Sequence, residues 1–216
     1  MEITKLQESK EQPSKLNATG ILLAGGKSSR MKENKAFLEL DGRPLVERSL
    51  TALQAVFKEV LISSNQPKLF ERYEVPVIQD ELLDRGPLEG LYQGLKAGTY
   101  DAAFFVACDM PFLNVELIRF MAKWIPDYDV VVPRLQSGLH PLHAFYHRRC
   151  LPSIKNNLEI GRLKIIDFYS ACSVRYVEES ELQAFSNVSD VFCNVNSPED
   201  WSAILNRKRI FTADGY

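Results

Sequence analysis

The sequence predicts an α/β fold: a three-layer sandwich with helices on both faces of a mostly parallel sheet that holds one antiparallel strand. Two observations lead there. Short apolar runs alternate with helical stretches along most of the chain, and the runs are apolar on both faces, as strands buried between two helical layers are. A third, the length of 216 residues, suits one such domain with a full core and leaves little room for a second.

The elements follow in order. Thr19 to Ala24, TGILLA, is a strand that ends at the pair Gly25-Gly26. Pro44 opens a helix with Val46, Leu50, Leu53 and Phe57 as its apolar stripe. Lys58–Ser64 and Val75–Asp80 are strands, and Pro87–Ala97 is a helix despite its internal glycines. Asp101–Asp109 is the most apolar strand. Asn114 caps the next helix, which runs to Trp124 with Glu116 in its first turn. Tyr128–Pro133 is a strand, Arg134–Leu139 a hairpin loop with Gly138, and Leu142–Tyr146 the returning antiparallel strand. A helix over Arg149–Leu158, strands over Ser173–Val177 and Asp190–Val195, and a helix from Pro198 to about Asn206 complete the chain. Residues 1–18 are polar and read as a tail, which leaves 19–207 as a single domain.

Composition excludes several function classes. Hydrophobic residues make up 45% and charged residues 25%, with a formal net charge of -2. That balance lacks the basic excess of a nucleic-acid binder. No apolar run is long enough to span a membrane, and the N-terminus lacks a secretory signal's apolar stretch, so a cytoplasmic protein is expected. Cys108, Cys150, Cys172 and Cys193 form no C-x-x-C pair and read as small half-buried residues. His140, His143 and His147 invite a zinc reading, but Pro141 and the aromatic neighbours favour a strand. On a strand, His140 and His143 would face opposite sides.

In such a sheet, ligands bind beyond the carboxyl ends of the strands, so the loops after strands carry the chemistry. The first, Leu23 to Lys35, reads LAGGKSSRMKENK. Gly25 and Gly26 let backbone N–H groups approach an anion closely, and Lys27, Arg30, Lys32 and Lys35 supply cations. Arg30 suits two-point contact with phosphate oxygens, and Lys35 suits a point charge. Asp109, in CDMP after the most apolar strand, can reach a cation in the cleft. Magnesium prefers one or two carboxylates together with phosphate oxygens and water. Asp80 ends its strand in the same way.

The first loop resembles the signature L-A-G-G-x-S-x-R-M-G-x-D-K of molybdenum cofactor guanylyltransferases, within the nucleotidyltransferase superfamily with its Rossmann-like fold. Leu23, Ala24, Gly25, Gly26, Ser28, Arg30, Met31 and Lys35 match in place; Lys32 and Asn34 stand where the family has glycine and aspartate. Asp109 falls in a C-D-x-P element, Gly86-Pro87-Leu88 matches a loop that closes over the nucleotide, and Asn194-Val195-Asn196-Ser197-Pro198-Glu199-Asp200 resembles N-x-N-T-P-E-[ED]. The resemblance implies transfer of GMP from GTP to molybdenum-loaded molybdopterin, with pyrophosphate released. It places the nucleotide on Leu23, Ala24, Gly25, Gly26, Lys35, Asp80 and Asp109, and Mg²⁺ on Asp109. It gives Arg30, Lys35 and Asp109 the catalytic work. Asn194, Asn196 and His140 line the acceptor half. L-A-G-G favours guanine over the L-A-A-G of cytidylyl relatives. Direct alignment puts Ser63 where the family has a nucleotide-contacting asparagine, with Asn65 two residues on. The expected partners are the two small-molecule substrates and, transiently, other cofactor-biosynthesis proteins, around a monomer. The rival readings are CTP or a sugar phosphate as substrate, or a regulator that binds nucleotide without turnover.

Overall fold

The computed structural model describes residues 13–25, 34–185 and 188–213. Strand β1 (Leu16–Leu23) leads to the small hairpin β2 (Glu39–Leu40) and β3 (Arg43–Pro44), then helix α1 (Leu45–Val56) and strand β4 (Phe57–Ser63). After β5 (Val77–Ile78) come α2 (Pro87–Ala97), β6 (Ala102–Ala107), α3 (Val115–Ala122) and β7 (Val130–Leu135). β8 (Gly138–Leu139), β9 (His143–His147), α4 (Leu151–Glu159) and β10 (Val174–Glu178) follow. The short helices α5 (Glu179–Leu182) and α6 (Val188–Val191) and the long α7 (Pro198–Ala213) close the chain.

The main sheet runs β10-β7-β9-β6-β1-β4-β5, with β8 added to β7. β1 pairs in parallel with β4 and β6, β4 with β5, and β7 with β10, whereas β9 lies antiparallel between β6 and β7. The carboxyl ends of β1, β4, β5, β6, β7 and β10 therefore share one edge. Side chains alternate between the two faces. Leu22 of β1, Phe104 and Val106 of β6 and Phe145 of β9 pack under α1 and α3. Ile21, Ala103, Phe105 and Tyr146 pack under α2, α4 and the turn of 3₁₀ helix at Ile165–Ala171. Both faces are covered, which is why the strand sequences lack polar alternation.

Two glycines of α2 are demanded by this packing. A Cβ at Gly94 would stand 2.6 Å from Phe105 Cε1 and 2.7 Å from Ile21 Cδ1, both in fully buried side chains. At Gly90 it would lie 3.0 Å from Leu23 Cδ2 and from Ser63 Oγ. Alanine improves helix propensity by about 1 kcal/mol, but overpacking a core costs about 1–3 kcal/mol. Gly94→Ala is expected to be destabilised on balance, by about 1 kcal/mol, seen as a lower urea midpoint with unchanged slope.

Four expectations need correction. The strand expected at Val75–Asp80 is reduced to Val77–Ile78. The expected strand at Asp190–Val195 is absent; α6 and an irregular segment stand there. Val191, Phe192 and Val195 are buried, but beside the helices rather than in the sheet, and the Val195 N–H donates to the Asp109 carbonyl at 2.9 Å. The polar-tail boundary at residue 18 falls inside β1, where Ala18 is buried. The last helix extends to Ala213, beyond both the expected end near Asn206 and the domain boundary at 207.

Candidate active site

The loops at the shared carboxyl edge are tied together by their backbones. The Ala24 N–H donates to the Ser63 carbonyl (2.9 Å), the Cys108 N–H to the Leu23 carbonyl (3.0 Å), and the Ser64 N–H to the Ile78 carbonyl (2.9 Å). These bonds carry the parallel ladder one residue past each strand. They fix the starts of the loops after β1, β4 and β6. Leu23 and Ala24 are buried and Gly25 is exposed. Among the described residues, a Cβ at Gly25 would meet nothing nearer than the Ser63 carbonyl oxygen and Ser64 Cα, both at 3.9 Å. Glycine at such an exposed position allows another molecule to approach the backbone closely. Gly26 and Arg30 lie outside the described residues, as do the other residues of 26–33.

Beyond that segment, Asn34 accepts a hydrogen bond from the Ala36 N–H through its side chain (3.1 Å) and starts the 3₁₀ turn Lys35–Phe37. That turn sends Lys35 inward, with its Nζ 3.8 Å from Asp109 Oδ2 and both side chains largely buried. Lys35 Nζ also donates to Asn196 Oδ1 at 3.3 Å, across 161 positions of sequence. Two elements far apart in the chain thus converge on one ammonium.

Asp109 stands just beyond β6, and its second oxygen, Oδ1, is buried with no hydrogen-bond partner among the described residues. Burial raises its pKa above the ordinary aspartate value, and the nearby Lys35 charge and backbone donors offset this only in part. A desolvated carboxylate with an unused oxygen suits a hard divalent cation, which prefers oxygen donors. Neighbouring Cys108 is driven the other way from reactivity. Burial and the Asp109 charge push its thiol up to about 12.

On the β4–β5 side, Asp80 is half-buried and held by Asn65. Asn65 Nδ2 donates to Asp80 Oδ2 (2.8 Å), and the Asp80 N–H donates to Asn65 Oδ1 (2.9 Å). Burial raises the Asp80 pKa; the Asn65 hydrogen bond opposes the rise and the Glu89 charge adds to it. Glu89 itself is buried in the first turn of α2, where its Oε1 accepts from the Leu82 N–H (3.3 Å) and Gln93 Nε2 (2.7 Å). These contacts anchor the loop between Asp80 and Pro87.

The histidines differ from expectation. A turn, in which the His143 N–H donates to the His140 carbonyl (3.0 Å), replaces continuous strand between them. Both rings consequently meet Phe192, with centroids at 4.6 and 5.1 Å, instead of facing opposite sides. Phe192 precedes exposed Asn194 by two residues, so His140 and the Asn194–Asn196 segment belong to one wall of the edge. Two residues that sequence reading did not assign also take part. Asn65 pairs with Asp80, and Asp200 anchors the turn carrying Asn196. Of the four cysteines, Cys150 is buried and Cys108, Cys172 and Cys193 are partly buried. Among the described residues, no helix is long and apolar enough to cross a membrane.

The chain is similar in sequence and in fold to known proteins. Residues 20–172 match the family model described as MobA-like NTP transferase domain. The chain is 40% identical over 185 residues to a probable molybdenum cofactor guanylyltransferase of Pelotomaculum thermopropionicum, covering 86% of this chain and 90% of that one. It is 33% identical to the molybdenum cofactor guanylyltransferase of Syntrophotalea carbinolica, over 85% of this chain and 88% of the other. In fold it resembles the crystal structure of molybdopterin-guanine dinucleotide biosynthesis protein A from Archaeoglobus fulgidus. The TM-score is 0.79 at 23% identity, with 88% of this chain and 98% of that chain covered. The loop signature, the Lys35–Asp109 pair at the sheet's carboxyl edge and these likenesses together make the chain a member of the MobA-like NTP transferase family, alongside the molybdenum cofactor guanylyltransferases.

Proposed function

We propose that this protein transfers GMP from GTP to molybdenum-loaded molybdopterin, giving molybdopterin guanine dinucleotide and pyrophosphate. The observation that carries the reading is Lys35 Nζ held beside the buried Asp109 carboxylate, at the edge to which the first loop also leads. An oxygen of the acceptor's terminal phosphate forms the new bond to the α-phosphorus of GTP. The α–β phosphoanhydride bond breaks, and pyrophosphate takes the electron pair. Lys35 offsets the charge that builds on that leaving group, and Arg30 is assigned the same task by the loop signature. No side-chain nucleophile is needed, so positioning and electrostatics carry the rate.

The residues fit a magnesium ion. Asp109 offers one partnerless buried oxygen and one facing Lys35, a hard-donor set of the kind Mg²⁺ shares with phosphate oxygens. Bound there, Mg²⁺ would supply neutralising charge to the triphosphate. Asp80 and Asn65 act on the nucleoside, as a half-buried acceptor and donor pair fixed in orientation. Asn194, Asn196 and His140 act on the acceptor. Both substrates are small molecules, and a cytoplasmic location fits the chemistry.

The test is pyrophosphate release from GTP, CTP and ATP in parallel, with Mg²⁺ and molybdenum-loaded molybdopterin. Release with GTP alone supports the reading; release with CTP overturns the base, and binding without release points to a regulator. A second expectation concerns the pair on the nucleoside side. Asn65→Ala removes both hydrogen bonds that orient Asp80. KM for GTP should rise about tenfold, the worth of a hydrogen bond to a charged group, with kcat nearly unchanged.

A further inference from the structure

Asp200 sits at the start of α7, where its carboxylate feels the Lys35 charge, but among the described residues no hydrogen bond or ion pair joins it to Lys35 or Asp109. Its role lies in the turn before it. Asp200 Oδ2 accepts from the Asn196 N–H at 2.8 Å and from the Ser197 N–H at 2.9 Å. The Asp200 N–H donates back to Ser197 Oγ at 3.2 Å. The carboxylate is held ionised below its ordinary range, chiefly by those two backbone donors.

A capping motif of this kind stabilises a helix start wherever it occurs. Here it does something more specific, because the residue it fixes is Asn196. One side of the Asn196 backbone is tied to Asp200. The residue before it, Val195, is tied by its N–H to the carbonyl of Asp109 at 2.9 Å. With its backbone held on both sides, Asn196 presents Oδ1 to Lys35 Nζ at 3.3 Å, while the same ammonium stands 3.8 Å from Asp109 Oδ2. The chain of contacts runs from Asp200 through Asn196 to Lys35 and ends at Asp109. Lysine carries several rotatable bonds, and without a second anchor its ammonium has no fixed position.

We infer that Asp200 is a positioning residue of the transfer reaction, acting through Asn196 to hold the Lys35 ammonium where the pyrophosphate portion of the nucleotide arrives. The inference rests on the reading above that Lys35 and Asp109 serve the triphosphate. Capping without positioning makes a different prediction, and a double-mutant cycle separates the two.

The cycle uses the full chain and the variants Asp200→Ala, Asn196→Ala and their combination. It is read as Kd for inorganic pyrophosphate with Mg²⁺ by calorimetric titration, and as kcat/KM for pyrophosphate release. The pyrophosphate measurement needs no acceptor, so it judges the inference even if molybdopterin proves not to be the substrate. Each single variant should weaken pyrophosphate binding about fivefold, the worth of one net hydrogen bond, and the double variant should be no weaker than Asn196→Ala alone. Asp200→Asn keeps an acceptor oxygen and should recover most of the loss. Ser197→Ala removes only the return bond; it should lower the melting temperature and leave pyrophosphate binding unchanged. Wild-type binding in folded Asp200→Ala, or a double variant whose effect is the product of the singles, would overturn the inference.

Discussion

Asp109→Asn should lower kcat/KM for pyrophosphate release by about 10²–10³-fold, the usual cost of losing one preorganised charge at a transition state. The same variant should melt at the wild-type temperature or above. The reason is the state of the carboxylate. It is largely buried, its Oδ1 has no partner among the described residues, and burial holds its pKa above the ordinary range despite Lys35 at 3.8 Å. A desolvated charge with incomplete compensation costs the fold stability. An amide of the same shape removes that cost and removes the anionic oxygen with it. Opposite signs in activity and melting temperature would mark Asp109 as retained for chemistry. A variant with normal turnover, or one that unfolds, would contradict the assignment. Lys35→Ala should show a comparable loss of turnover, because the same pair loses its other half.

The second large effect concerns acid stability. His143 is fully buried, and among the described residues neither ring nitrogen has a hydrogen-bond partner. Its ring lies edge-on to Phe104 (5.0 Å between centroids) and to Phe192 (5.1 Å). Burial, aided by neighbouring His140, lowers its pKa from the ordinary 6.5 to about 3. In the unfolded chain the same ring titrates near 6.5. Between these values the unfolded state binds the extra proton, so stability falls as the pH falls. The loss is about 1.4 kcal/mol per pH unit, a large share of a total of about 5–15 kcal/mol. The window opens below pH 6.5 and closes near pH 3. His143→Leu should flatten the pH dependence over that window relative to wild type in parallel urea titrations. Raised carboxyl pKa values at Asp80 and Asp109 act in the opposite sense in both proteins, so the difference between the two isolates His143.

Much of this architecture was legible because burial on both faces leaves a plain trace. AAFFVA and TGILLA can hardly be anything but central strands, and their carboxyl ends announce Asp109 and the first loop. DVFCNV was misread for the same reason. Its apolar residues are buried as expected, but apolar pattern reports burial and not the partner. Here the partner is the loop holding Asp109, with a single backbone bond where a strand would have made a ladder. The Asn65–Asp80 pair was hidden because its members lie 15 positions apart and meet only through the parallel pairing of β4 with β5. Asp200 falls within the helix expected from Pro198, but its link to Lys35 depends on a convergence that no local pattern records.

That convergence has a consequence for how the molecule is made. Synthesis runs from the N-terminus, and by Glu178 every strand of the main sheet, together with Lys35 and Asp109, has been polymerised. Val195, Asn196 and Asp200 come later. A nascent chain can therefore complete its sheet while Lys35 still lacks one of its two anchors. A stretch made after the sheet strands is the one that finishes the site, so assembly of the scaffold and onset of competence are separate events in time.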